Sequence, residues 1–224
     1  MTHTNKRLIV MDIDSTLIDE EVIDELGAAC GYGEQIAQIT SRAMHGDIDF
    51  KQALHERVRL LEGLSTDIFD DVYARLHITH GARTLIDTAH QRGWIVGVVS
   101  GGFHEVADKL VADLGIDYCY AHRLGVRTDA QGRTVLDGTI ASDVVTKETK
   151  KARLFQWAQE QGVDSAHTVA IGDGANDIPM IQAAGVGIAF CAKPITRQAA
   201  AYHIDTRDLS LALNIIDAHE GMES

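Results

Sequence analysis

The chain alternates short apolar runs with loops built from Gly, Asp and Ser. Three runs, Leu8–Met11, Ile95–Val99 and Thr168–Ile171, each lead directly into a polar or glycine-rich loop, and helical stretches separate them. Strands alternating with helices predict a parallel sheet of βαβ units, a doubly wound, Rossmann-like α/β core. In such a sheet ligands collect beyond the carboxyl ends of the strands, so the three loops are expected to share one site.

Between the first and second runs, 20–75 reads as helical. Val22, Ile23, Leu26 and Ala29 fall at helical spacing with Gly31 as a stop. A second helix fits Gln35–His45, ending at Gly46. A third fits Phe50–Leu61, with Phe50, Leu54, Val58 and Leu61 near one face. These helices predict a small inserted helical cap over 19–76, leaving 1–18 and 77–224 as the core. Further on, Tyr118–Val145 is rich in β-branched residues and turns, with Asp129-Ala130-Gln131-Gly132 at a hairpin tip; an antiparallel β-hairpin flap is expected there. Leu209–Ala218 reads as a closing helix.

Charge narrows the partners. With 20 Lys+Arg against 33 Asp+Glu in 224 residues, the net charge of −13 argues against nucleic acid or an anionic membrane as partner. An anionic substrate then needs a local positive site. Cys30, Cys119 and Cys191 are too dispersed for a paired metal motif, so reduced thiols and a cytoplasmic protein are expected. The apolar run before Asp12 is too short for a signal peptide or a membrane span. The scattered histidines show no ligand spacing and read mostly as surface or helix residues.

The candidate chemistry lies in the loops. Asp12 and Asp14 follow the first run at i and i+2, which on a strand places both on one face. Two adjacent carboxylates repel, and one resists ionisation unless a cation is near. The second loop, Ser100-Gly101-Gly102-Phe103, offers a hydroxyl and backbone N–H groups to a phosphate. The basic run from Lys147 to Arg153 could supply one Lys to the site; spacing alone does not say which. The last loop, Gly172-Asp173-Gly174-Ala175-Asn176-Asp177, adds acids and an amide. Oxygen ligands of this kind suit Mg²⁺, with Asp12 and Asp173, alone or together with Asp177, forming the acidic side.

Taken in order, Asp12-Ile13-Asp14-Ser15-Thr16, Ser100-Gly101, Lys150 and the Gly172–Asp177 run resemble the four motifs of haloacid-dehalogenase-type phosphatases. The resemblance implies that Asp12 is a nucleophile forming an aspartyl-phosphate and Asp14 the acid and base. It implies further that Asp12, the Asp14 carbonyl and Asp173 hold Mg²⁺, with Asp177 behind them. Ser100 and Lys150 would bind phosphoryl oxygens, Lys150 preferred to Lys151 for its offset to Leu154 and Ala158.

Within that superfamily the chain resembles the phosphoserine phosphatases over nearly its whole length, through Glu21, Met44, Phe50, Arg57, Ser100–Phe103 and Phe190-Cys191-Ala192-Lys193-Pro194. The resemblance implies hydrolysis of O-phospho-L-serine to L-serine and phosphate, the last step of serine biosynthesis. Glu21 would face the substrate ammonium and Arg57 its carboxylate, while Met44 and Phe50 cover the phosphate. Gly101, Gly102 and Asn176 complete the expected substrate-binding set. Another small amino-alcohol phosphate, such as phosphohomoserine, would suit Glu21 and Arg57 as well. Unlike the larger bacterial relatives, the sequence has no regulatory domain before the first strand, so feedback through such a domain is not expected.

Overall fold

A computed structural model describes residues 6–45 and 47–223. Six parallel strands form the central sheet: β1 (Leu8–Met11), β2 (Ile95–Phe103), β3 (Tyr118–His122), β6 (Thr168–Gly172), β7 (Val186–Phe190) and β8 (Tyr202–Ile204). Their order is β3-β2-β1-β6-β7-β8. The chain therefore winds outward from β1 through β2 and β3, then crosses back to β6 on the other side. That reversal puts a crevice at the carboxyl ends of β1 and its two neighbours.

The sheet is apolar on both faces because helices cover both, which is why the strands read as unbroken hydrophobic runs. Alternation splits β1 between the two layers. Ile9 and Met11 join the larger core, with α5 (Ala82–Gln91), α6 (His104–Leu114) and α10 (Leu211–Glu223). Leu8 and Val10 join the other, against Leu154 and Trp157 of α7 (Lys147–Gln161) and Met180 and Ile181 of α8 (Ile178–Ala183). A short α9 (Pro194–Ala199) precedes β8.

Four helices are inserted between β1 and α5: α1 (Val22–Cys30), α2 (Gly33–His45), α3 (Phe50–Arg59) and α4 (Ile68–Tyr73). Gly31 closes α1 in a left-handed conformation at φ 80°, which its missing Cβ permits. Helix α3 ends at Arg59, two residues before the expected Leu61, as the chain turns toward Gly63. The two chain segments entering and leaving this insertion are stitched together: Asp19 N–H donates to His77 O at 2.9 Å and Thr79 N–H to Leu17 O at 2.9 Å.

The hairpin is narrower than the sequence predicts. Strands β4 (Leu124–Thr128) and β5 (Thr134–Ile140) pair antiparallel around the expected tip, where Asp129 Oδ1 accepts from the Gln131 and Arg133 N–H groups. Tyr118–His122, assigned to the flap by sequence, instead pairs parallel with β2 and forms one edge of the central sheet. The hairpin also bonds to the inserted helices, through Gly63 N–H to Leu136 O and Leu136 N–H to Leu64 O, both at 2.9 Å.

Candidate active site

Asp12 follows the last residue of β1, and its own N–H donates to Ile171 O of β6 at 3.1 Å. The expectation that Asp12 and Asp14 share a strand face is corrected here, because the strand stops at Met11. A wide turn through Ile13–Leu17 carries Asp14, with Ser15 left-handed at φ 56° and Ile18 N–H donating to Ile13 O at 3.0 Å. It is this turn that brings the second carboxylate round. Asp14 Oδ1 accepts from Val22 N–H at 3.2 Å, at the start of α1.

Lys150, one turn into α7, lies buried between two carboxylates. Its Nζ is 2.6 Å from Asp12 Oδ2 and 2.7 Å from Asp177 Oδ1. A Thr146–Thr149 capping box fixes where α7 starts and hence which face of the helix Lys150 occupies. Lys151 points outward, over the Phe155 ring. Burial alone would lower the Lys150 pKa, but Asp12 and Asp177 overcome it and hold the ammonium above the usual lysine range.

Asp173 projects from the loop after β6 and accepts from Thr16 Oγ1 at 3.5 Å. Carboxylate oxygens of Asp12, Asp173 and Asp177 lie within 4.8 Å of one another, an all-oxygen donor set that fits a hard divalent cation. Asp177 is fully engaged elsewhere, by Lys150 through Oδ1 and by Gly174 N–H through Oδ2 at 3.0 Å. Asp12 is engaged at both oxygens as well, by Ile13 N–H at Oδ1 (2.8 Å) and by Lys150 at Oδ2, so Asp173, held by the Thr16 hydroxyl, has the most lone-pair capacity to offer.

Burial, the Glu21 charge and Asp173 push the Asp14 carboxyl up to about 7, against the pull of Val22 N–H and Lys150. Asp173 rises to about 6, first through burial and then through Asp177 and Glu21. Burial pushes Asp12 up as well, with Lys150 opposing. Crowded, half-desolvated carboxylates of this kind are those a cation stabilises most.

A cavity of about 530 Å³ opens above this group. It joins Asp12, Asp14 and Asp173 to Glu21 and to Phe50, Leu54 and Arg57 of α3. Gly101, Gly102 and Asn176 line it too. Glu21 stands at the N-cap of α1 and accepts from Ser15 Oγ at 2.9 Å. Arg57 donates only to neutral oxygens, Ala53 O at 3.3 Å and Thr40 Oγ1 at 3.5 Å; among the described residues it has no carboxylate within ion-pair distance. Phe50 is 45% exposed and borders a second cavity of about 660 Å³ toward Thr146 and Lys147.

Ser100 and Lys150 do not line the main cavity; both lie beneath its floor. Ser100 Oγ accepts from Gly102 N–H at 2.8 Å. A Cβ at 102 would crowd the site, meeting Asp14 Oδ2 at 2.9 Å and Ser100 Oγ at 3.1 Å and displacing one or both. Met44 belongs to α2, but its side chain lies outside the described residues.

Sequence reasoning missed three neighbours of the site. Lys193 lines the cavity and its charge lowers the pKa of Asp173. Arg207 reaches the first loop from near the C-terminus, donating to Ser15 O at 3.2 Å and Ile18 O at 2.9 Å and pairing with Asp19. His122 is wholly buried, contrary to the general reading of the histidines as surface residues. Lys193 had a signal, since it lies in a segment that carries the family resemblance. The other two act across the fold and left none.

Residues 6–185 match the family model of haloacid dehalogenase-like hydrolases. The phosphoserine phosphatase of Lactococcus lactis subsp. lactis is 54% identical over 212 residues, 95% of this chain and 96% of that protein. The phosphoserine phosphatase of Methanocaldococcus jannaschii is 41% identical over 211 residues, 94% and 98% of the two chains. A solved substrate-bound phosphoserine phosphatase complex superposes with a TM-score of 0.85 at 40% identity, covering 94% of this chain and 98% of the other. A solved phospho-aspartyl intermediate analogue of phosphoserine phosphatase superposes equally well. The chain belongs to the haloacid dehalogenase-like hydrolases and, within them, to the phosphoserine phosphatase family.

Proposed function

We propose that the chain hydrolyses O-phospho-L-serine to L-serine and inorganic phosphate through an aspartyl-phosphate on Asp12. The observation that carries the reading is the single cavity in which Arg57, without a carboxylate partner among the described residues, and Glu21 flank the Asp12–Asp14 pair. An Arg with unspent donors suits a carboxylate, and Glu21 suits an ammonium. A site with both rejects phosphomonoesters lacking either group, because its own polar groups are left unpaired.

In the first step an Asp12 oxygen bonds to phosphorus and the phosphorus–serine oxygen bond breaks. Asp14 gives that oxygen its proton. In the second step Asp14 takes a proton from water, the water oxygen bonds to phosphorus, and Asp12 is released. A carboxyl held near 7 can serve both directions at neutral pH. Lys150 offsets the charge of Asp12 and the incoming phosphate, while the Ser100 hydroxyl and the Gly101 backbone N–H offer hydrogen bonds to phosphoryl oxygens. Asp12, Asp173 and the Asp14 carbonyl would hold Mg²⁺, which when bound supplies charge neutralisation at the phosphoryl group. Asp177 orients Lys150 and supports the acidic side from behind.

The inserted helices of 19–76 act as the cap that selects substrate, with Met44 and Phe50 covering the phosphate. Three free cysteines and the absence, among the described residues, of any helix long and apolar enough to span a membrane fit a cytoplasmic setting. The test is phosphate release from O-phospho-L-serine, phosphohomoserine, phosphothreonine and sugar phosphates, with and without Mg²⁺. Equal kcat/KM on phosphohomoserine would sink the specific assignment.

A further inference from the structure

We propose that His122 is a positioning residue that fixes the donor direction of the Ser100 hydroxyl, through the peptide joining Gly101 to Gly102. The proposal rests on the reading of Ser100 as a phosphate ligand. The β2–β3 ladder steps from Val99–Tyr120 to Phe103–His122, so Ser100–Gly102 bulges away from its neighbouring strand. A bulge re-aims side chains and frees backbone groups from the ladder. Here the buried His122 ring fills the gap.

Its two ring nitrogens have defined roles. Nε2 lies 2.8 Å from Val145 N, and a backbone N–H can only donate, so Nε2 is an acceptor. The neutral ring then carries its proton on Nδ1, which donates to Gly101 O at 2.9 Å. Burial also holds this histidine below its usual pKa, consistent with a neutral ring.

The Gly101 carbonyl and the Gly102 N–H belong to one planar trans peptide and point in opposite directions. His122 therefore holds one end of that peptide while its other end donates to Ser100 Oγ at 2.8 Å. With Oγ already accepting, the Ser100 hydrogen is left to donate outward. The order is Val145 N–H to His122, His122 to Gly101 O, Gly102 N–H to Ser100, and Ser100 to the bound anion. Every donor in the series points the same way, so each bond polarises the next. The series also ties the Ser100 loop to the residue before the Thr146 cap of α7, the helix that carries Lys150.

Asn and Gln substitutions separate this role from simple core filling. In His122→Asn the carboxamide N–H falls near the Nδ1 position and can still donate to Gly101 O. In His122→Gln the carboxamide falls near Nε2 and can serve Val145 only. Inorganic phosphate is the probe, as an inhibitor of turnover, with Tm measured alongside. We expect the phosphate inhibition constant to rise about tenfold in His122→Gln, the worth of one charge-assisted hydrogen bond, and less than about threefold in His122→Asn. Both variants lose one buried bond, so their Tm values should fall by similar amounts. Should His122→Gln fail to fold, His122→Ala gives the same contrast with His122→Asn. Equal weakening in the Asn and Gln variants, or none in either, overturns the proposal. Ser100→Ala is measured in parallel. If it leaves phosphate inhibition unchanged, the Ser100 reading fails and takes the proposal with it. If it weakens inhibition while the histidine variants do not differ, only the role of His122 is lost.

Discussion

Replacing Lys150 by Met keeps an unbranched, apolar stem in a slot that is 1% exposed and removes only the charge between Asp12 and Asp177. The two carboxylates then face each other at 5% and 0% exposure with no cation between them. The easiest escape is for the pair to retain a proton. Retaining one at about pH 7.5 on a carboxyl whose ordinary pKa is about 4 costs about 5 kcal/mol. Leaving an uncompensated charge buried costs about 3–5 kcal/mol, so both routes predict a similar loss. At about pH 5 the proton route costs only about 1.5 kcal/mol.

The sign follows from linkage. In the variant, one carboxyl has a folded-state pKa raised above its unfolded value. Its contribution is fully present below the unfolded pKa and is lost as pH rises through the folded one. The destabilisation relative to the native chain should therefore be small in acid and grow through neutrality. Lys150 adds no slope of its own there, because its pKa is pushed up and it stays charged. Urea unfolding in a chelator, followed by the fluorescence of the buried Trp94 and Trp157, measures the difference at both pH values. A loss below about 1 kcal/mol, or one equal at both pH values, refutes the reasoning.

Three further outcomes are expected. Asp12→Asn should abolish turnover with an unchanged circular dichroism spectrum; substantial residual activity would remove Asp12 as nucleophile. Arg57→Ala should lower kcat/KM for phosphoserine at least about a hundredfold more than for an aryl phosphate, since only phosphoserine has a carboxylate to leave unpaired; parallel losses would count against the clamp. Asp14 and Asp173 are raised to about 7 and about 6, so the metal-free protein should lose Tm as pH rises from the unfolded carboxylate range through those values. Adding Mg²⁺ should restore more Tm at pH 7 than at pH 5, because bound metal displaces those protons; calorimetric scans showing the reverse order would contradict this.

The strands β1, β2 and β6 were legible because both their faces are buried, which leaves an uninterrupted apolar run. Tyr118–His122 was not, since its mixed polarity looks like an antiparallel edge, and only its pairing with β2 places it in the central sheet. The loop residues of the site were readable because each motif is local and ends a strand. The fit of Asp12 to Asp14 was read for the wrong reason: the spacing suggested a pleat, and a left-handed Ser15 provides the turn instead. His122 and Arg207 escaped notice because their partners lie about twenty and nearly two hundred residues away. No periodicity encodes such contacts.

The seams around the inserted helices have a mechanical consequence. Backbone hydrogen bonds fasten the insertion along two edges, at the Leu17–Thr79 crossing and where Gly63 and Leu64 meet the hairpin. The remaining edge, at Phe50, faces a cavity rather than a ladder. On the proposed cap role, the insertion would part from the sheet most easily at that edge, like a book bound along its spine and foot. Substrate would then pass by Phe50, and the residues that admit it would be those proposed to shield it from water.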